Sequence, residues 1–171
     1  IAEDYLKKKK TKVIGLSGGQ GTGKSTISSI LKIILKEFYK LDTLIFSIDD
    51  FYKTLSERKK ISQKISKLFL IRGVPGTHDT KMLLQCIYSL KNNNFKKTII
   101  PKFDKSIDDR CLKNKWLKIK KKPNIVIFEG WCVGATAQKN KDLNIPVNKL
   151  EKKIDNKRIW RQKVNSELKK D

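Results

Sequence analysis

Gly18-Gly19-Gln20-Gly21-Thr22-Gly23-Lys24-Ser25 fits the phosphate-binding pattern Gly-x-x-x-x-Gly-Lys-Ser/Thr at every position, and that fit decides the fold. Glycines let the backbone curl until successive N–H groups point at phosphate oxygens. Lys24 supplies a mobile positive charge for the β- and γ-phosphates, and the Ser25 hydroxyl suits Mg²⁺. With Thr26, these residues form the expected nucleotide site, and the implied cofactors are ATP and Mg²⁺. The motif specifies a nucleoside triphosphate and leaves the phosphate acceptor open.

The flanks agree with the motif. Val13 to Ser17 reads as a buried strand, and Ile27, Ile30, Leu31, Ile34, Leu35 and Phe38 recur at helical spacing. Strand, glycine loop and helix is the order required, because a helix N-terminus adds N–H donors and partial positive charge. Two further apolar strands follow, Thr43–Ser47 and 124–128. Ser56 is the expected cap of a helix carrying Ile61, Ile65, Leu68 and Phe69. Another helix is expected to turn Leu83, Cys86, Ile87 and Leu90 inward. A charged helical tail, 150–171, offers Ile154, Ile159, Trp160, Val164 and Leu168 as anchors. Strands alternating with helices predict an α/β fold of the P-loop NTPase type, a parallel sheet flanked by helices. A phosphate-loop kinase usually has five strands, and fewer are readable, so the sheet is expected to lack its C-terminal members.

The 171 residues suffice for one domain with a real core, and residues 1–171 are read as one P-loop kinase domain that ends early. Ile1 is not an initiator methionine, which predicts a fragment or processed chain. No apolar run approaches the ~20 residues of a membrane span, and no signal peptide is readable, so the cytoplasm is the expected location. Cys86, Cys111 and Cys132 have neither pair nor metal-ligand spacing and read as reduced, core-filling thiols. The net charge of +23 raises nucleic acid as a partner. Arginine, which base reading favours, occurs only at positions 58, 72, 110, 158 and 161, and the lysines spread along the whole chain. The charge therefore reads as compositional bias toward Lys, Ile and Asn. No specific nucleic-acid partner, membrane or obligatory protein partner is expected.

Phosphoryl transfer needs a phosphate cradle, a metal and a positioned nucleophile. Asp49, Asp50 and Glu129 stand where apolar strands end, the edge at which α/β sheets bind ligands. Glu129 is the expected acid beside the metal, with Ser25; a strand-end carboxylate in water is the plainer alternative. Asp49 is the expected general base, with Asp50 the alternative, and a capped turn would account for the pair structurally. Arg72, His78, Lys102, Lys105 and Arg110 are candidates for gripping an anionic acceptor, although singly each suits a solvated or structural role. The residues alone thus reach an ATP-dependent enzyme with a small acceptor.

Several blocks then carry a family resemblance. Ser47–Tyr52 (SIDDFY), Arg72–Asp79 (RGVPGTHD), Pro101–Arg110 (PKFDKSIDDR) and Phe128–Ala135 (FEGWCVGA) resemble, in order, those of the D-glycerate 3-kinase group, relatives of uridine and pantothenate kinases. Pro146-Val147-Asn148 with Leu150-Glu151, then Trp160-Arg161 and Val164-Asn165, resemble the next block. The resemblance implies ATP and D-glycerate, a small hydroxy acid, as substrates, with 3-phosphoglycerate and ADP as products. It implies Asp49 rather than Asp50 as base. It also implies that the Thr77–Asp79 and Phe103–Ser106 blocks line the acceptor pocket; the substrate-binding residues expected in all are Asp50, Tyr52, Arg72, His78, Asp79, Lys102, Asp104, Lys105 and Arg110. Members of the group continue past the equivalent of Asp171 with further strands and a lid; Arg158 and Arg161 suit either a lid or a helix face.

Overall fold

The computed structural model describes residues 1–169; Lys170 and Asp171, the end of the expected helical tail, lie outside the described residues. The chain divides into two compact units, Ile1–Phe51 with Asp79–Gly134, and Tyr52–His78 with Ala135–Asp171.

The first unit is built on a parallel sheet of β1 (Lys12–Ser17), β7 (Ile125–Gly130) and β2 (Thr43–Ser47), in the order β1-β7-β2. α1 (Ala2–Lys8), α2 (Lys24–Tyr39) and α4 (Thr80–Lys91) accompany it. Two small antiparallel pairs complete the unit: β3 (Thr98–Ile100) with β6 (Leu117–Ile119), and β4 (Phe103–Asp104) with β5 (Asp109–Arg110). Ile125 to Phe128 of the central strand are all buried, as a parallel strand covered on both faces must be. On one face Phe46, Val126 and Phe128 meet Leu83, Cys86 and Leu90 of α4, the residues expected to turn inward except half-buried Ile87. On the other, Ile125 and Ile127 meet Leu35 of α2 and Ala2 of α1.

Two expectations need correction here. In α2, Leu35 is buried and Leu31 half-buried, but Ile27, Ile30, Ile34 and Phe38 are exposed, Phe38 by 78%. The apolar arc of α2 is wider than the strip the three-stranded sheet covers. Small Ser28, fully buried, shares the covered side. Equally, Val13, Ile14 and Leu16 of β1 are only half-buried, because β1 is an edge strand.

The second unit contains α3 (Leu55–Lys64), α5 (Lys149–Ile154) and α6 (Ile159–Glu167). Thr54, not Ser56, caps α3. Its side chain accepts from the Glu57 N–H, and the Glu57 carboxylate reaches back to the Thr54 N–H at 2.8 Å. A reciprocal box needs an acid three residues after the cap; Thr54 has Glu57 there, whereas Ser56 has Lys59. Of the expected tail anchors, Ile154 and Ile159 are exposed, and Trp160, Val164 and Leu168 only half-buried. Polar groups hold this region instead. Buried Arg161 donates from Nε to the Leu143 carbonyl at 2.8 Å and from Nη1 to the Asp155 carbonyl at 2.7 Å, and Asn165 exchanges hydrogen bonds with the Gln138 backbone. Arg161 thus belongs to a helix face inside the fold, and Arg158 stands at the N-cap of α6.

No described helix is long and apolar enough to cross a membrane.

Candidate active site

Register brings the candidate groups to one edge of the sheet. Ser17, the last residue of β1, lies opposite Gly130, and Ser47, the last of β2, lies opposite Glu129. The phosphate loop follows Ser17, and the 3₁₀ turn Ile48–Phe51 with Asp49 and Asp50 follows Ser47. Three strand ends therefore present the loop, the two aspartates and Glu129 together at the carboxyl edge, as expected of ligand sites in such sheets.

Within the loop, Gly21 and Gly23 have φ of 78° and 80°, a left-handed backbone that favours glycine. Gly23 also caps α2, so the loop runs directly into that helix's free N–H groups. Thr22 Oγ1 donates to the Gly19 carbonyl at 2.8 Å, and Lys24 Nζ reaches back to the same oxygen at 2.7 Å. Lys24 is thus folded over the loop that would hold the phosphates. Ser25 Oγ lies 3.5 Å from Glu129 Oε1. A hydroxyl and a carboxylate at that spacing are hard oxygen donors of the kind Mg²⁺ takes. Among the described residues no group of three or more His, Cys, Asp or Glu forms a metal cage. Both facts suit Mg²⁺, which uses one or two protein ligands and completes its shell with phosphate and water.

Asp49 and Asp50 are adjacent but differ in surroundings. The Asp49 N–H donates to Ser47 Oγ at 3.2 Å, and its carboxylate meets Lys105 Nζ at 2.6 Å. Asp50 turns inward: its Oδ2 accepts from the Ser47 N–H at 3.2 Å. Burial pushes the Asp50 carboxyl above its ordinary range, against the hydrogen bond from Ser47. Ser47, not singled out in the sequence, thereby organises both aspartates. A serine two residues before an aspartate is the signal that could have found it.

A local turn explains Lys105. The Asp104 carboxylate accepts from the Ser106 N–H at 2.9 Å and from Ser106 Oγ at 2.6 Å, and these bonds hold it below the usual range. That turn presents Lys105 between them to Asp49. Asp79 joins the same region: its N–H donates to the Phe51 carbonyl at 2.7 Å, and its Oδ1 caps α4 at the Met82 N–H, 3.0 Å away. Its other oxygen faces Arg110 Nη2 at 3.6 Å, and the Arg110 side chain is only 9% exposed. Asp49, Lys105, Asp79 and Arg110 therefore form a mixed-charge cluster beside the strand ends.

The remaining candidates are placed differently. Lys102 and Asp50 line another cavity of the first unit. Tyr52, Arg72 and His78 belong to the second unit. There Tyr52 and His78 stack with ring centroids 4.3 Å apart, Lys53 Nζ donates to the His78 carbonyl, and Arg72 is half-buried. Gly130 escaped sequence reading, since only a neighbour in space, Ile48, reveals its role.

Residues 13–165 match the model of the family described as phosphoribulokinase / uridine kinase. The chain belongs to this family. The probable ATP-dependent kinase TDA10 of Saccharomyces cerevisiae is 40% identical over 133 residues, covering 71% of this chain and 45% of the yeast protein. The chloroplastic D-glycerate 3-kinase of Arabidopsis thaliana is 31% identical over 130 residues, covering 71% of the chain and 28% of that protein. The solved D-glycerate 3-kinase of Cryptococcus neoformans var. grubii superposes with a TM-score of 0.75 at 27% identity, covering 94% of the chain and 58% of that structure. The family member described here has the P-loop kinase fold, and it spans less than two thirds of the length of each of these relatives.

Proposed function

We propose that this chain carries the nucleotide site and catalytic base of an ATP-dependent small-molecule kinase whose acceptor is a hydroxy acid, D-glycerate foremost. The observation that carries the reading is Asp49, held 2.6 Å from Lys105 at the sheet edge that also bears the loop Gly18–Ser25. The D-glycerate 3-kinases among its relatives support this choice of acceptor.

In this reading the acceptor's 3-hydroxyl attacks the γ-phosphorus in line, the bond from that phosphorus to the β,γ-bridging oxygen breaks to release ADP, and the hydroxyl proton passes to the Asp49 carboxylate. Such a base contributes about 10²–10⁴-fold. Lys24 leaves the Gly19 carbonyl to meet the charge on the transferring phosphoryl group. Ser25 and Glu129 would hold Mg²⁺, which would supply neutralisation of part of that charge. Lys105 and Arg110 offer cations to the acceptor's carboxylate, while Asp79 orients Arg110. The product is 3-phosphoglycerate. The +23 charge is assigned to lysine-rich composition rather than to a specific nucleic-acid or protein partner.

A coupled ADP-release assay with D-glycerate, uridine and pantothenate tests this, alongside nucleotide titration of the same preparation. The expected result is release stimulated most by D-glycerate and abolished in Lys24→Ala. A stronger response to uridine or pantothenate reassigns the acceptor. Release that survives Lys24→Ala overturns the phosphate-loop mechanism.

A further inference from the structure

The first unit holds a cavity of about 510 Å³, bordered by Phe46, Asp50, Lys102, Lys115, Trp116 and Lys118 among others. That volume lies within the ~300–1,000 Å³ of small-molecule sites. Asp50 and Lys102 line it, but neither the phosphate loop nor Asp49, Glu129, Lys105 or Arg110 does. Its lining has a consistent chemistry. The Trp116 indole is fixed, because its Nε1–H donates to the Cys111 carbonyl at 2.8 Å, and its remaining surface is an apolar plate. Leu117, 48% exposed, contributes further apolar surface. Three exposed lysines, Lys102, Lys115 and Lys118, line the cavity. The single carboxylate, Asp50, is engaged by backbone N–H groups of Ser47 and Phe103. The cavity therefore offers positive charge and a flat apolar wall to whatever enters.

We propose that this cavity is a second ligand site, taking a small organic anion with a flat apolar body, its charged end among Lys102, Lys115 and Lys118 and its body against Trp116. The anionic end is a carboxylate or a phosphate ester, chemistries the three lysines serve alike. A stacked aromatic body and a partly desolvated ion pair together are expected to discriminate by about tenfold or more against a neutral analogue.

Heteronuclear NMR of the isotope-labelled chain reads this directly, since its three indole N–H groups, from Trp116, Trp131 and Trp160, give separate signals. Naphthoate, naphthyl phosphate and uncharged naphthalenemethanol are titrated at physiological salt, with Trp116→Phe used for assignment. The expected result is a saturable shift of the Trp116 signal with the anions, unchanged by saturating ATP. Affinity should fall about tenfold or more for the alcohol and in Lys102→Ala/Lys118→Ala. Preference for naphthoate or naphthyl phosphate identifies the natural charged group. Absence of saturation, equal binding of the alcohol, or displacement by ATP overturns the proposal. The readout is independent of kinase activity, so failure of the proposed function leaves it intact.

Discussion

Replacing Gly130 by alanine tests how the sheet seats the turn that carries Asp49. Gly130 ends β7 and has no positive φ, so the backbone itself tolerates alanine. The obstacle is Ile48: a Cβ at position 130 would stand 2.4 Å from Ile48 Cγ2, 3.0 Å from Ile48 Cβ and 3.1 Å from Val133 Cγ2. Restoring ordinary carbon–carbon contact of about 3.5 Å requires Ile48 to retreat by about 1 Å. Ile48 is buried and opens the turn carrying Asp49, so the displacement passes to Asp49, the proposed base. Overpacking of this kind costs about 1–3 kcal/mol. A misplacement of about 1 Å at a reacting group costs up to about 10²-fold in rate. Gly130→Ala should therefore lower stability by 1–3 kcal/mol in urea unfolding, as an order of magnitude, and cut D-glycerate-dependent ADP release by about 10- to 100-fold. Gly134→Ala is the control: its φ of 75° makes alanine strained, but no atom lies within 4 Å of the added Cβ. It should lose about 1 kcal/mol of stability, by strain alone, and keep its release rate per folded molecule. If Gly130→Ala unfolds at the wild-type urea concentration and releases ADP at the wild-type rate, the steric account of Asp49 placement is wrong.

Further outcomes follow from other parts of the fold. Asp155→Ala strips buried Arg161 of its carboxylate and should cost about 3–5 kcal/mol by urea unfolding, while Arg161→Met with Asp155→Leu recovers part of that loss. Asp42 is held down to about 2 by the Lys121 and Lys36 ammonium groups. A lowered carboxylate stabilises above its unfolded pKa and loses that contribution as pH falls through its folded one. Asp42→Asn should therefore cost about 0.5 kcal/mol at neutral pH and low salt, the exposed pairs being screened, and nothing below about pH 2. Phe38→Ser, at a side chain 78% exposed, should change stability by less than about 0.5 kcal/mol and reduce binding of an apolar dye. Burial pushes the Cys86 and Cys132 thiols up to about 11, so alkylation at pH 8 followed by peptide mass spectrometry should find Cys111 modified first.

Much of the fold was legible because it is locally encoded. The β1–loop–α2 unit, the apolar runs of β2 and β7 and the inward face of α4 all follow from periodicity within a few residues. The cap of α3 is Thr54 rather than the expected Ser56, although its signal is equally local, since the acid three residues after Thr54 marks it and Ser56 lacks one. The failures share a different cause. Ile27, Ile30, Ile34 and Phe38 repeat at core spacing, yet how much of an apolar arc is covered depends on how many strands lie beneath it. The tail was read from its isoleucines, whereas Asp155, Arg161 and Asn165 hold it through hydrogen bonds to residues as far as Gln138.

By itself the sequence determined that this protein carries a phosphate-binding loop, because eight consecutive residues supply the glycines, the lysine and the hydroxyl of that pattern. It also placed acids at strand ends, since an apolar run followed by aspartate or glutamate states its own geometry. Which cation meets which acid was decided only in three dimensions. Lys105 reaches Asp49 through the Asp104–Ser106 turn, Arg110 reaches Asp79 through the β4–β5 pair, and Lys102 faces a different cavity. The physical reason is that charge pairing depends on separations of a few ångströms, which strand register and turn geometry set and sequence distance does not.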